Sequence, residues 1–197
     1  SNFSPAEKDK LIFRLLKKDK LLSKKLYFEL IDPETTDNKR DTMEEIVEEK
    51  VVLASKYMSN QKYFLSIIRK ISAEITEHVK ITTDKFGEVS LNLLLINKIL
   101  DYNEDLARQR FDNIYKLYLY IINKTVKALI LTKKLDVDYW MEIDEHLDEL
   151  KGKILQNHYL SKLFSNNGID MNWLTSDQIP ENFDLIIKEI KTKGFLR

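Results

Sequence analysis

Cysteine is absent from the chain, which removes disulfide frameworks, thiolate zinc sites and thiol nucleophiles together. Glycine and proline are scarce too, with four and three in 197 residues where ~7% and ~5% are usual. A sandwich or barrel needs turn residues about every 8–12 positions, so helices joined by few loops are the natural alternative. Four isolated glycines also exclude the phosphate cradles G-x-x-x-x-G-K-[ST] and G-x-G-x-x-G. There is no G-x-S-x-G elbow, and the three histidines lie in unrelated contexts, so no nucleophilic triad assembles. No stretch approaches the ~20 apolar residues that span a bilayer, and "SNFSPAEKDK" lacks the apolar centre of a signal peptide. A soluble, cytoplasmic protein is expected.

Charge of either sign is no shortage, but it cancels. Thirty-two basic residues face thirty-two acidic ones, so no global field draws the chain to nucleic acid or an anionic membrane. The cancellation hides blocks. Residues 4–30 carry eight Lys/Arg against four acids, 32–50 eight acids against three bases, 105–134 seven bases against two acids, and 136–149 seven acids and no Lys or Arg. Alternating blocks suit antiparallel packing or an electrostatically matched partner.

Helical periodicity runs through most of what remains. Ser4, Pro5 and Glu7 form a capping box with proline at the first helical position. Leu11, Ile12, Leu15 and Leu16 follow, and Asp19 either caps a second helix through Leu22, Leu26 and Leu30 or lies inside one longer helix, which Pro33 ends. Asp41 with Glu44 fits the start of a long helix. Met43, Ile46, Val47, Val51, Ala54, Tyr57 and Met58 form one stripe; Phe64, Ile67, Ile68, Ile71, Ile75 and Val79 form another beyond a break at Ser59 and Asn60. "TTDKFGE" (82–88) reads as an interhelical loop, followed by a helix from about Val89 to Leu106. "FDNIYKLYLYIINKTVKALILTKK" (111–134) reads as a central helix ending near Leu135. Asp136 or Asp138 caps a helix through Met141, Ile143, Leu147, Leu150, Ile154, Leu155 and Tyr159 to Phe164, stopped by Gly168. A last helix after Pro180 carries Phe183, Ile186, Ile187 and Ile190. The fold expected is all-α, a multi-helix bundle or irregular helical array of about six to eight helices without a sheet. It reads as one domain over 1–197, with a possible N-terminal helical subdomain at 4–33.

The most suggestive chemical cluster is "EEIVEE" (44–49) with "EITEH" (74–78). Two such helices packed antiparallel would present carboxylates to Mg²⁺, which takes oxygen ligands and brings phosphates with it. Glu44, Glu45 and Glu48, followed by Glu74 and Glu77, loosely resemble the E-E-x-x-E … E-x-x-D pattern of the all-α nucleoside triphosphate pyrophosphohydrolases of the MazG type. Glu77 stands where that family has Asp. The resemblance covers about thirty-five residues and implies those five glutamates as Mg²⁺ ligands. "DYNED" (101–105) and "DEHLDE" (144–149) superficially resemble the aspartate-rich motifs of prenyl diphosphate enzymes, which need a far longer bundle. Glu74/His78 and Glu142/His146 stand at i, i+4, whereas di-iron bundles use Glu-x-x-His; the histidines read as surface or half-buried.

The basic N-terminal segment offers Arg14, Lys17, Lys18, Lys20, Lys24 and Lys25 to phosphates if its two helices dock as a helix-turn-helix. Its second helix brings only Ser23, Lys24 and Lys25 to base edges, a poor reading set. Tyr115, Tyr118 and Tyr120 are spread around their helix, which suits contact with several neighbours better than stacking on one ligand. By elimination the expected function is a non-catalytic protein–protein interaction or scaffold module, binding another protein or itself without a cofactor. The Mg²⁺-dependent pyrophosphohydrolase and nucleic-acid binding are the alternatives.

Overall fold

The computed structural model describes residues 3–196, and no strand occurs among them. Ten α-helices follow in order: α1 (Pro5–Lys18), α2 (Lys20–Leu30), α3 (Thr36–Ser55), α4 (Gln61–Thr82), α5 (Lys85–Leu100), α6 (Asn103–Ala107), α7 (Phe111–Thr132), α8 (Trp140–Gln156), α9 (His158–Asn166) and α10 (Phe183–Thr192). Single 3-10 turns lie at Val137–Tyr139, Met171–Trp173 and Ser176–Gln178. The all-α array is as expected, but its helices outnumber the expected six to eight. The short α6 and a break between α8 and α9 account for the excess.

That break has a specific cause. Asn157 is held extended, at φ −106° and ψ 96°. Its Oδ1 accepts from the Leu160 amide at 3.0 Å, while its Nδ2 donates to the Tyr118 hydroxyl at 2.9 Å and to Asn103 Oδ1 at 3.1 Å. One buried amide thus caps α9 and ties it to α6 and α7, and the apolar stripe continues through a bend.

Two other boundaries differ from expectation. α3 begins at Thr36, not beside Asp41, because Thr35 Oγ1 accepts from the Asn38 amide at 3.2 Å and starts the helix earlier. The expected loop at 82–88 shrinks to Thr83 and Asp84. Thr83 closes α4 in the left-handed region at φ 57°, and Asp84 caps α5 by accepting from the Gly87 amide at 2.8 Å. Gly87 therefore sits in the first turn of α5. It is small because a Cβ there would stand 2.2 Å from Asp84 Oδ2.

α5 is the centre of the array. Twelve of its sixteen residues are buried, among them Leu91, Leu93, Leu95, Ile96 and Ile99, and it packs against α3, α4, α7 and α8. A helix apolar all round belongs in such a position. α7 packs on α5, with Tyr118, Ile121 and Ile122 fully enclosed. The break at Ser59 and Asn60 is present: Asn60 Oδ1 caps α4 through the Tyr63 amide at 3.1 Å. Gly168 adopts φ 73° after α9, as expected of a left-handed stop.

The N-terminal hairpin is different. Ser4 and Glu7 close the expected capping box, and Asp19 Oδ1 caps α2 through the Leu22 amide at 2.9 Å. α2 lies on α4, and α1 packs on α2. Neither α1 nor α2 contains a buried residue. Among the described residues, no helix is long and apolar enough to cross a membrane.

Candidate interaction surface

The spacing of Leu11, Ile12, Leu15 and Leu16 places four large apolar side chains on one side of α1, while Lys10, Arg14 and Lys17 fall on the other. A helix patterned in this way normally turns its apolar side to a core. Here only Leu16 is half-covered, at the contact with α2, where Ser23 Oγ donates to the Leu16 carbonyl at 2.6 Å. Leu11, Ile12, Phe13 and Leu15 are 46–65% exposed. Beyond the hairpin turn, Leu22, Tyr27, Leu30 and Ile31 are also exposed. Scattered exposed leucines need no explanation, but a run of them along one capped helix does.

The basic residues of this hairpin divide into two groups. Arg14, Lys17, Lys18 and Lys20 are exposed and form no ion pair among the described residues. Lys24 lies 2.6 Å from Glu77, and Lys25 lies 3.6 Å from Glu29 on the same helix. These first four cations, with the equally unpaired Lys8 and Lys10 of α1, are free for a phosphate or a carboxylate from outside.

The structure does not gather the five glutamates. Glu48 pairs with Lys98 at 2.8 Å, Glu74 with Lys50, and Glu77 with Lys24. Glu45 is exposed. Glu44 is half-buried, and burial together with the neighbouring Asp41 raises its carboxyl above the usual range. Among the described residues, no group of three or more His, Asp or Glu is placed to hold a metal ion. The aspartate-rich stretches have structural partners: Asp101 pairs with Lys153, and Asp144 accepts from the Ser176 amide and hydroxyl, both at 2.7 Å. His78 and His146 are half-buried, and burial lowers the pKa of each.

No protein-family model matches this chain, and neither the curated proteins nor the solved structures yield a match to it. The physical chemistry of its surfaces is therefore what speaks to function.

The structure adds three further features. Lys124 is partly buried between α4, α5 and α7; its ammonium donates to Asn92 Oδ1 at 2.8 Å and to Ser72 Oγ, 5.9 Å from the centre of the Tyr120 ring. Burial lowers its pKa to about 8. The only sequence signal was a lysine interrupting "IINKTVKALIL". Second, a cleft of about 500 Å³ opens between α2 and α4, lined by Tyr27, Phe28, Asp32, Lys39, His78 and Ile81 among others. Its lysines are already matched, Lys39 to Asp32 at 3.0 Å and Lys24 to Glu77.

Third, the start of α8 mirrors α1 with the opposite sign. Asp136, Asp138, Glu142, Glu145 and Asp148 are exposed and make no ion pair among the described residues. Val137, Tyr139 and Met141 stand exposed beside them. The molecule thus carries apolar faces flanked by unpaired charge, which suit docking to another surface.

Proposed function

We propose that this chain is a non-catalytic helical interaction module that engages a protein partner through the apolar face of α1. The supporting observation is a fourteen-residue helix, capped at its start and joined to α2 by a capped turn, none of whose residues is buried. Burying a Leu or Ile side chain contributes ~1.5–3 kcal/mol. Leu11, Ile12 and Leu15 leave about half of that stabilisation unused within the chain, where a partner groove would realise it.

The free cations of the same hairpin also serve a nucleic-acid reading. A phosphate backbone has no use for Leu11, Ile12, Phe13 and Leu15, whereas an acidic helical partner uses both halves of the surface. A photo-crosslinking amino acid at Ile12, introduced in cells, tests the proposal. Discrete protein adducts that disappear with Leu15→Glu are expected. Adducts no stronger than those from a control position at exposed Lys188, or adducts to nucleic acid alone, would contradict it.

A further inference from the structure

We infer that the partner of α1 is a second copy of this chain, engaged head to tail at the start of α8. The inference rests on reading α1 as the interaction face and adds what that face meets. On one side, Lys8, Lys10, Arg14, Lys17, Lys18 and Lys20 have no ion-pair partner among the described residues, and Leu11, Ile12 and Leu15 stand exposed on the same hairpin, with Lys8 and Lys18 on their side of α1. On the other, Asp136, Asp138, Glu142, Glu145 and Asp148 are equally unpaired among the described residues, beside Val137 and Met141, which are 63% and 75% exposed. Each surface joins uncovered apolar area to charge of one sign, and the signs are opposite.

The charges within one copy do not satisfy each other, because α1 packs on α2 while α8 packs on α5 and α9. Between copies they can. The chain's balance of thirty-two bases and thirty-two acids is then a sum over faces that meet across an interface. The outer face of α3 is the rival acidic surface, with Glu45, Glu49, Val52 and Leu53 exposed. It offers three exposed acids without an ion pair among the described residues, Asp41, Glu45 and Glu49, against five at the start of α8, where residues 136–149 contain no Lys or Arg. Charge complementarity therefore favours the start of α8.

Such a contact is heterologous, since one face meets a different face of the next copy, so it closes into a ring or grows as an open chain. A single helix face is smaller than the ~1,200 Å² of a stable standard interface. Assembly should therefore be weak, dependent on concentration and reduced by salt, whose screening length shrinks from ~10 Å at 0.1 M to ~3 Å at 1 M.

Sedimentation velocity on the full chain over a concentration series tests this, at low and at high salt. One variant carries Lys10→Glu, Arg14→Glu and Lys17→Glu; the other carries Glu142→Lys, Glu145→Lys and Asp148→Lys. The unaltered protein is expected to self-associate at low salt, and each variant alone to do so at least about tenfold more weakly. Mixed in equal amounts, the two should regain assembly with alternating copies, because the intact α1 of one meets the intact α8 of the other and the two reversed faces are again opposite in sign. That rescue also shows that both variants are folded.

An unaltered protein that is monomeric at every concentration overturns the inference, and so does a variant that assembles by itself as strongly as the unaltered protein or a mixture that stays monomeric. Equal loss on reversing Glu45 and Glu49 of α3 overturns the assignment to α8. A monomeric protein that binds anionic phospholipid vesicles would make a membrane the occupant. If the protein is monomeric while Ile12 still crosslinks to a different protein, the self-assembly inference falls and the interaction module stands.

Discussion

Arg40 Nε lies 2.7 Å from Asp84 Oδ2, and this ion pair ties the first turns of α3 to the cap of α5. Asp84 is buried, its other oxygen holds the Gly87 amide, and the Arg40 guanidinium lies 4.7 Å from the centre of the Phe86 ring. Asp84→Ala removes the cap and leaves a half-buried guanidinium without its main partner, an expected loss of about 3 kcal/mol. Asp84→Asn keeps the cap and should lose less. Gly87→Ala drives a Cβ into the Asp84 carboxylate and should cost as much as losing the cap. Urea denaturation of the three variants measures this; equal losses for Ala and Asn at position 84 would show that the cap contributes nothing beyond the charge.

Asn157 joins three helices through one side chain, and its contacts separate by mutation. Asn157→Ala loses the α9 cap and both donated bonds, for an expected ~2–3 kcal/mol. Tyr118→Phe removes one acceptor while Asn103 Oδ1 still receives the amide, for about 1 kcal/mol. A larger loss for Tyr118→Phe than for Asn157→Ala would contradict this division.

Lys124 makes stability depend on alkaline pH. Its folded pKa, about 8, lies below the unfolded value of 10.5. Between those values the unfolded chain binds more protons, so stability rises with pH through that window and is lowest below about 8. The amplitude should be on the order of 2 kcal/mol, since part of the ammonium remains solvated. Tyr118 and Tyr120, whose pKa values burial raises, act in the opposite direction. The informative quantity is therefore the difference between the unaltered protein and Lys124→Met. A difference that is flat from pH 7 to pH 10 would refute the linkage.

The two half-buried imidazoles act at the acid end. Burial lowers the pKa of His78, beside Asp84, Arg40 and Lys39, and of His146, beside Glu142, Glu145 and Glu149. Below the usual value near 6.5 the unfolded chain takes up protons first, so stability falls as pH drops from about 6.5 through the folded values. His78→Gln and His146→Gln should each fall less steeply between about pH 7 and pH 5 in urea-midpoint measurements. A steeper fall would mean that the folded protein favours the charged imidazole.

The sequence was readable where one element decides its own structure. The Ser4 capping box, the Asp19 turn and the Asn60 break rest on local side-chain-to-backbone bonds, and the Gly168 stop on a left-handed backbone. It was less readable where a distant partner decides. The Asn157 break depends on Tyr118 and Asn103, and the charge of the buried Asp84 cap is met by Arg40 reaching across from α3. The same limit applies to the surfaces. Periodicity marked Leu11, Ile12 and Leu15 as an apolar face but not whether another helix covers it, and the spacing of Glu45, Glu48, Glu74 and Glu77 gave no sign that lysines would take three of those carboxylates.

The free apolar face of α1 is the central claim, and equilibrium denaturation of the triple variant Leu11→Ala, Ile12→Ala, Leu15→Ala tests it most directly. Alanine preserves helix propensity, so removing solvated side chains should leave stability within about 0.5 kcal/mol of the unaltered protein. Leu93→Ala in the buried centre of α5 should cost ~2–5 kcal/mol in the same assay. A triple variant that loses more than about 2 kcal/mol would place the α1 face inside the core and contradict the proposed interaction surface.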